Sequence, residues 1–156
     1  MRVWLMLAVS CLAASASHSQ ASVESSDEEI LGVLAPELDD VRLLTMQDLT
    51  RAQFDNIGDT PNIGRRMEGD FNSDGQSDLA LFGSYASGTF VLLLTRQDAV
   101  WHRSGLLRFS RPFLIGGTFD GALSVFYCTG CDSGGRIVWM GSDYEFVPFP
   151  PPGVPE

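Results

Sequence analysis

From Gly64 onward the chain is written in short runs of Val, Leu, Phe, Trp and Tyr, cut every few residues by Gly, Ser or Asp, and it keeps no helical period. Such a texture admits strands joined by tight turns and little else. The runs predict strands over residues 66–71, 79–85, 89–95, 100–103, 106–110, 113–116, 123–128, 136–140 and 145–149. Breaks are expected at Ser87-Gly88, Ser104-Gly105, Gly116-Gly117, Asp120-Gly121 and Gly134-Gly135, because glycine accepts the positive φ that hairpin turns need. Strands joined by short loops pair antiparallel. The expected fold class is therefore mainly β: a small antiparallel sheet or meander, sandwich-like or propeller-blade-like, with a short N-terminal helical segment.

That segment is read between residues 30 and 56. Ile30, Leu31, Val33 and Leu34, then Val41, Leu43, Leu44, Met46, Leu49 and Phe54, suit short amphipathic pieces interrupted at Pro36. Thr45 with Asp48 three residues on resembles a capping pair, and Gly58 with Pro61 would stop the helix, which predicts a helix over residues 46–55.

The charge balance narrows the partners. The chain has 156 residues, with 20 acidic residues against 10 Arg and no Lys, for a net charge of −10. Nucleic acid is not an expected partner, because phosphate binding needs clustered cations and these Arg residues are scattered. Cations are the natural counter-ligand. With 44% hydrophobic residues and ten Phe, the chain can bury a core.

One stretch carries a spacing that turn formation does not require. In Asp70-Phe71-Asn72-Ser73-Asp74-Gly75-Gln76-Ser77-Asp78, oxygen-bearing side chains fall at positions 1, 3, 5 and 9, with Gly at 6. A hard cation such as Ca²⁺ takes six to eight oxygens, and a tight loop offers them from alternating residues. Asp70, Asn72, Asp74 and Asp78 are the candidate side-chain ligands, Gln76 offers its main-chain carbonyl, and Gly75 permits the bend. Position 12 is Leu81, where an EF-hand has a bidentate Glu, and the following Leu79-Ala80-Leu81-Phe82 reads as strand, so an EF-hand or a dockerin is not expected. The plain alternative is an Asx-rich turn that happens to carry acids. Three carboxylates without a bidentate Glu predict weak affinity, roughly 10⁻⁵ to 10⁻³ M, which suits stability more than sensing.

The stretch Gly69-Asp70-Phe71-Asn72-Ser73-Asp74-Gly75-Gln76-Ser77-Asp78-Leu79-Ala80 resembles the calcium loop of an FG-GAP or VCBS-type repeat, in about fifteen residues of the chain. The resemblance implies the same ligand set, Asp70, Asn72, Asp74, the Gln76 carbonyl and Asp78. Ser73 departs from the pattern, which more often has Gly there, and this asks an uncomfortable backbone conformation of it. A ring of such blades needs several repeats of about 40–60 residues, so one small domain with a single loop is expected. The nearest second copy, Gly117-Thr118-Phe119-Asp120-Gly121-Ala122-Leu123, lacks the ligand ladder and reads as a plain hairpin.

Residues 1–21 read as a secretory signal, with Arg2, an apolar run from Val3 to Ala14, and small residues that suit cleavage after Ala16 or Ala21. Its apolar run is too short for a bilayer span, and no other segment reads as one, so no membrane span is expected. Cleavage after Ala21 would remove Arg2 alone of the charged residues and bring the net charge to −11. The expected localisation is secreted or periplasmic; a lipoprotein anchored at Cys11 is the alternative. Residues 22–29, Ser- and acid-rich, are expected to be a disordered leader, 30–147 the single β-rich domain, and 148–156, with five Pro in nine residues, an extended tail.

In an oxidising compartment Cys128 and Cys131 would pair as a disulfide closing a turn, with a redox pair as the competing reading. Zinc lacks ligands, since His102 is distant from both Cys residues in sequence. His102, between Trp101 and Arg103, reads as a surface strand residue, and Trp101, Tyr127, Trp139 and Tyr144 as core packing before an aromatic binding surface. The sequence therefore points to an exported, non-enzymatic calcium-binding module whose partner is a protein or glycan. The alternative is a small periplasmic hydrolase or Cys-x-x-Cys redox protein with a structural Ca²⁺.

Overall fold

The computed structural model describes residues 21–22, 26–45, 48, 65–110, 114–119, 121–127 and 133–150. Along the chain these form β1 (Ala21–Ser22), α1 (Asp27–Leu34), β2 (Arg42–Leu43), β3 (Arg66–Gly69), β4 (Asp78–Tyr85), β5 (Gly88–Gln97), β6 (Val100–Phe109), β7 (Leu114–Phe119), β8 (Ala122–Phe126), β9 (Gly134–Trp139) and β10 (Tyr144–Pro148). Strands β4, β5 and β6 make an antiparallel meander, with β1 on the outer edge of β6, while β2 and β3 share the outer edge of β4. A second antiparallel meander follows, with β7 to β10 in sequential order. The protein is mainly β, as its sequence texture predicts, with two sheets and the short helix α1 among the described residues.

Strand alternation sorts the core into two layers. Leu79 and Leu81 of β4 and Phe90, Leu92 and Leu94 of β5 pack against Ile30, Leu31 and Leu34 of α1. Ala80, Phe82, Val91 and Leu93 point the other way and meet Leu123, Val125, Ile137 and Tyr144 of the second sheet. The first sheet is thus the middle of three layers. Its central strands are buried on both faces, and so they read as unbroken apolar runs.

Over residues 26–29, helix α1 and its cap correct the reading of 22–29 as a structureless leader, while 23–25 lie outside the described residues. Ser26 caps the helix, its hydroxyl accepting the Glu29 N–H at 3.2 Å, and Asp27, Glu28 and Glu29 fill the first turn. Acids there are favoured by the partial positive charge of the helix N-terminus. What looked like a solvated acidic run is the start of a helix whose buried face begins at Ile30.

The expected breaks divide by physical cause. The chain turns at Ser87, before Gly88, and at Gly121, which has φ +75°. Ser104-Gly105 is no break: β6 runs through it with a bulge, since Leu93 pairs with Gly105 and Leu94 with Arg103. Gly116 is likewise a bulge within β7. Gly134 and Gly135 open β9, where a Cβ would lie 2.1 Å from the Val125 carbonyl oxygen and 2.3 Å from that of Val147, so they serve close backbone approach instead. The real turn between β5 and β6 is Asp98-Ala99, with φ of +48° and +62°, a conformation that sequence reading assigns to glycine first.

Of the predicted helix over residues 46–55, only Asp48 is described. Its expected start is present: the Asp48 carboxylate accepts the Thr45 N–H at 2.8 Å, and Thr45 Oγ accepts the Asp48 N–H at 3.3 Å. At the other end, Pro148 closes β10 opposite Gly135, and the Phe149 N–H donates to the Gly134 carbonyl at 2.9 Å, so the tail is held for its first two residues. Residues 1–20 of the signal, Cys128 and Cys131, and 151–156 of the tail lie outside the described residues.

Candidate metal centre at the β3–β4 loop

Gly69 and Asp78 pair across the antiparallel strands β3 and β4, so residues 70–77 form the connection between them. Phe71, 3% exposed, anchors it in the core between the sheets. Ser73 has φ +60° and Gly75 φ +82°. Glycine meets that demand without a Cβ clash, whereas Ser73 carries the strain that its place in the pattern implies.

Side chains at alternating positions turn back on the loop. Asp70 Oδ1 accepts the Asp74 N–H and Oδ2 the Gly75 N–H, both at 3.0 Å. Asn72 Oδ1 also accepts the Asp74 N–H, while Asn72 Nδ2 donates to Asp74 Oδ2 at 3.0 Å. Asp74 Oδ1 accepts the Gln76 N–H at 2.8 Å. Beneath them Asp78 Oδ2 accepts the N–H groups of Phe71 at 2.9 Å and Asn72 at 3.2 Å. Asp70, Asn72 and Asp74 are therefore gathered into one hydrogen-bonded turn over Asp78. Gln76 contributes its N–H to that turn.

Asp78 is the unusual member. It is 1% exposed, and its Oδ1 is buried with no hydrogen-bond partner. Burial pushes its pKa up to about 6, helped by the charges of Asp74 and Asp70 and opposed by the N–H groups of Phe71 and Asn72. A buried carboxylate oxygen without a partner is costly unless a proton or a cation meets it. The other loop carboxylates are exposed, and the lone pairs of an ionised carboxylate suffice for both a backbone N–H and a metal. Among the described residues no three His, Cys, Asp or Glu side chains converge as a metal-binding group. The chemistry of the donor set suits Ca²⁺, but the loop's present hydrogen bonds are those of an Asx-rich turn.

The second sheet closes over this loop. A Cβ on Gly121, in the β7–β8 turn, would lie 3.4 Å from the Asp70 carbonyl oxygen and 3.6 Å from Ser73 Oγ. The segment around Gly121 is the hairpin expected of it, and it faces the loop. Tyr144, at the start of β10, is 5% exposed with its hydroxyl buried and unpartnered. Burial first, and then the charge of Asp78, hold its phenol above the ordinary range. From the sequence Tyr144 reads as core packing before an aromatic binding surface, and nothing in its neighbours signals the buried hydroxyl.

The remaining aromatics and His102 take modest places. Trp101 is buried beside Leu94, while Trp139 lies against Tyr144 with ring centroids 4.8 Å apart, and Tyr127 is 6.3 Å from Phe146. His102, half-buried opposite Thr95, lines a groove of about 560 Å³ with Leu34, Arg103 and Trp139. No helix among the described residues is long and apolar enough to cross a membrane. Comparison with protein-family models, with curated proteins and with solved structures finds no match for the chain.

Proposed function

We propose that the chain is an exported calcium-binding β module with a structural and binding role, in which Ca²⁺ sits at the β3–β4 loop. Asp70, Asn72, Asp74 and Asp78 would supply side-chain oxygen and Gln76 its carbonyl. The observation that carries this reading is the unpartnered, buried Asp78 Oδ1 beneath a turn whose alternating positions are all oxygen donors. A cation there would offset the repulsion of three acids and satisfy the buried oxygen at once. The loop joins two strands of the middle sheet and touches the second sheet at Gly121, so holding it stiffens the contact between the two. Ligand binding to the native state at 100 times Kd adds about 2.7 kcal/mol of stability, a sizeable part of a small domain's total.

The FG-GAP or VCBS-type resemblance supports the same ligand set and suggests a protein or glycan as partner. Thermal melting of the chelator-treated protein, with and without added Ca²⁺, tests the reading against Asp74→Ala. A melting temperature that rises with calcium in the wild type and stays put in Asp74→Ala supports it. Equal behaviour of the two proteins refutes it.

A further inference from the structure

Three buried polar atoms, on three strands of two sheets, converge on one place. Asp78 precedes Ala80 by two residues on β4 and shares its face, the one turned toward the second sheet. Ala80 pairs with Leu93, and Leu93 with Gly105. A Cβ on Gly105 would lie 2.9 Å from Cδ2 of Tyr144, so the Tyr144 ring stands on this row of residues. Ser104, the bulged residue next to Gly105, lines a recess of about 450 Å³ together with Tyr144. Asp78 Oδ1, Ser104 Oγ and the Tyr144 hydroxyl are each buried and none makes a bond of full hydrogen-bond geometry, although Ser104 and the charge of Asp78 both lie close enough to the phenol to act on it.

Three unmet groups are costly singly, yet they form a donor and acceptor set that suits a bridging solvent molecule. Hydroxyls of Ser and Tyr can each donate and accept, a carboxylate oxygen accepts, and a buried water commonly makes about three hydrogen bonds. We propose that Asp78 Oδ1, Ser104 Oγ and the Tyr144 hydroxyl hold a buried water bridge, and that Ser104 and Tyr144 thereby act as positioning residues for the loop carboxylate. The bulge in β6 has a purpose in this arrangement. It places Ser104 at the polar spot and Gly105 under the ring. The bridge also explains how a loop at one end of the middle sheet is tied to β10 of the other sheet. Its effect on calcium rests on the calcium reading above; its effect on the metal-free fold does not.

The test uses the full chain with Tyr144→Phe, Asp78→Ala and the double variant, each melted in chelator and titrated with Ca²⁺. Tyr144→Phe keeps the ring, so the sign of its effect is informative. Loss of the bridge predicts a fall in melting temperature of roughly 3 °C or more, and calcium binding weakened by about tenfold, as expected for a lost hydrogen bond to a charged group. In the double variant the Tyr144→Phe effect on melting should vanish, because both changes cut the same bridge. A melting temperature that is unchanged or rises in Tyr144→Phe overturns the proposal, since removing a hydroxyl with no partner costs nothing. Strict additivity with Asp78→Ala overturns it as well, and so does unaltered calcium affinity of Tyr144→Phe when the wild type binds calcium. A wild type blind to calcium defeats the metal reading alone, leaving the melting cycle in chelator to decide the bridge. Ser104→Ala supplies the same cycle should either of the other variants not fold.

Discussion

The carboxylate of Asp78 accepts the main-chain N–H of Phe71 at 2.9 Å across the span of the β3–β4 loop. This bond sets the loop's width, and it buries a charge that the rest of the loop does not neutralise. Removing the acceptor should be felt at once. Asp78→Ala is expected to cost about 2–4 kcal/mol in urea unfolding, because it leaves the buried N–H of Phe71 and the part-buried N–H of Asn72 without their acceptor. Asp78→Asn, which keeps an acceptor, should cost less.

The pH dependence follows from the same residue. The folded-state pKa of Asp78 is raised to about 6 from an ordinary value of 3.8, so between those limits the native state binds more protons than the unfolded chain. Stability therefore falls as pH rises from about 4 to about 6 in calcium-free protein, by an amount on the order of 2–3 kcal/mol. Asp48, held well below the carboxylate range chiefly by its hydrogen bond to Arg42, acts oppositely: its stabilisation is lost as pH drops toward and below the ordinary value. Denaturant melts across pH 4–7 check this. Saturating Ca²⁺ should flatten the decline, because the carboxylate then stays ionised in the fold.

Ser73 stands at φ +60° where glycine is at ease. Ser73→Gly should stabilise the protein by up to about 1 kcal/mol, the left-handed penalty removed being partly offset by a more flexible unfolded chain. Gly75→Ala, at φ +82°, should destabilise by about 1 kcal/mol or more. Paired melts of the two variants read opposite signs if the loop backbone is as described.

Asp48 joins two functions: it caps the turn at Thr45 and takes a bidentate contact from Arg42 at 2.6 and 2.7 Å. Asp48→Ala should cost about 1–3 kcal/mol. Arg42→Ala should cost less, at most about 1 kcal/mol, because the Arg42 side chain is 52% exposed. A double-mutant cycle separates the cap from the ion pair.

How far the sequence could be read depends on which interactions are local. β4 and β5 were legible because burial on both faces leaves an unbroken apolar run, and the Thr45–Asp48 cap because it spans three residues. The positive φ of Ser73 followed from a departure at one position of a short pattern. Long-range demands were hidden. Gly105 looks like a turn signal but serves the Tyr144 ring, and Gly134 and Gly135 serve neighbouring carbonyls. The acids of α1 look like a solvated run until the helix axis gives them an N-terminus to sit on. At the candidate site the alternating oxygens were visible in sequence. The burial of Asp78, and the Ser104 and Tyr144 hydroxyls beside it, depend on how the two sheets pack, which no local pattern records.

Calorimetric titration of Ca²⁺ into the chelator-treated protein tests the central claim most directly. The account predicts one site per chain with a Kd of roughly 10⁻⁵ to 10⁻³ M, abolished in Asp74→Ala. Absence of binding heat in the wild type at calcium concentrations well above that range, with the protein folded, would contradict it.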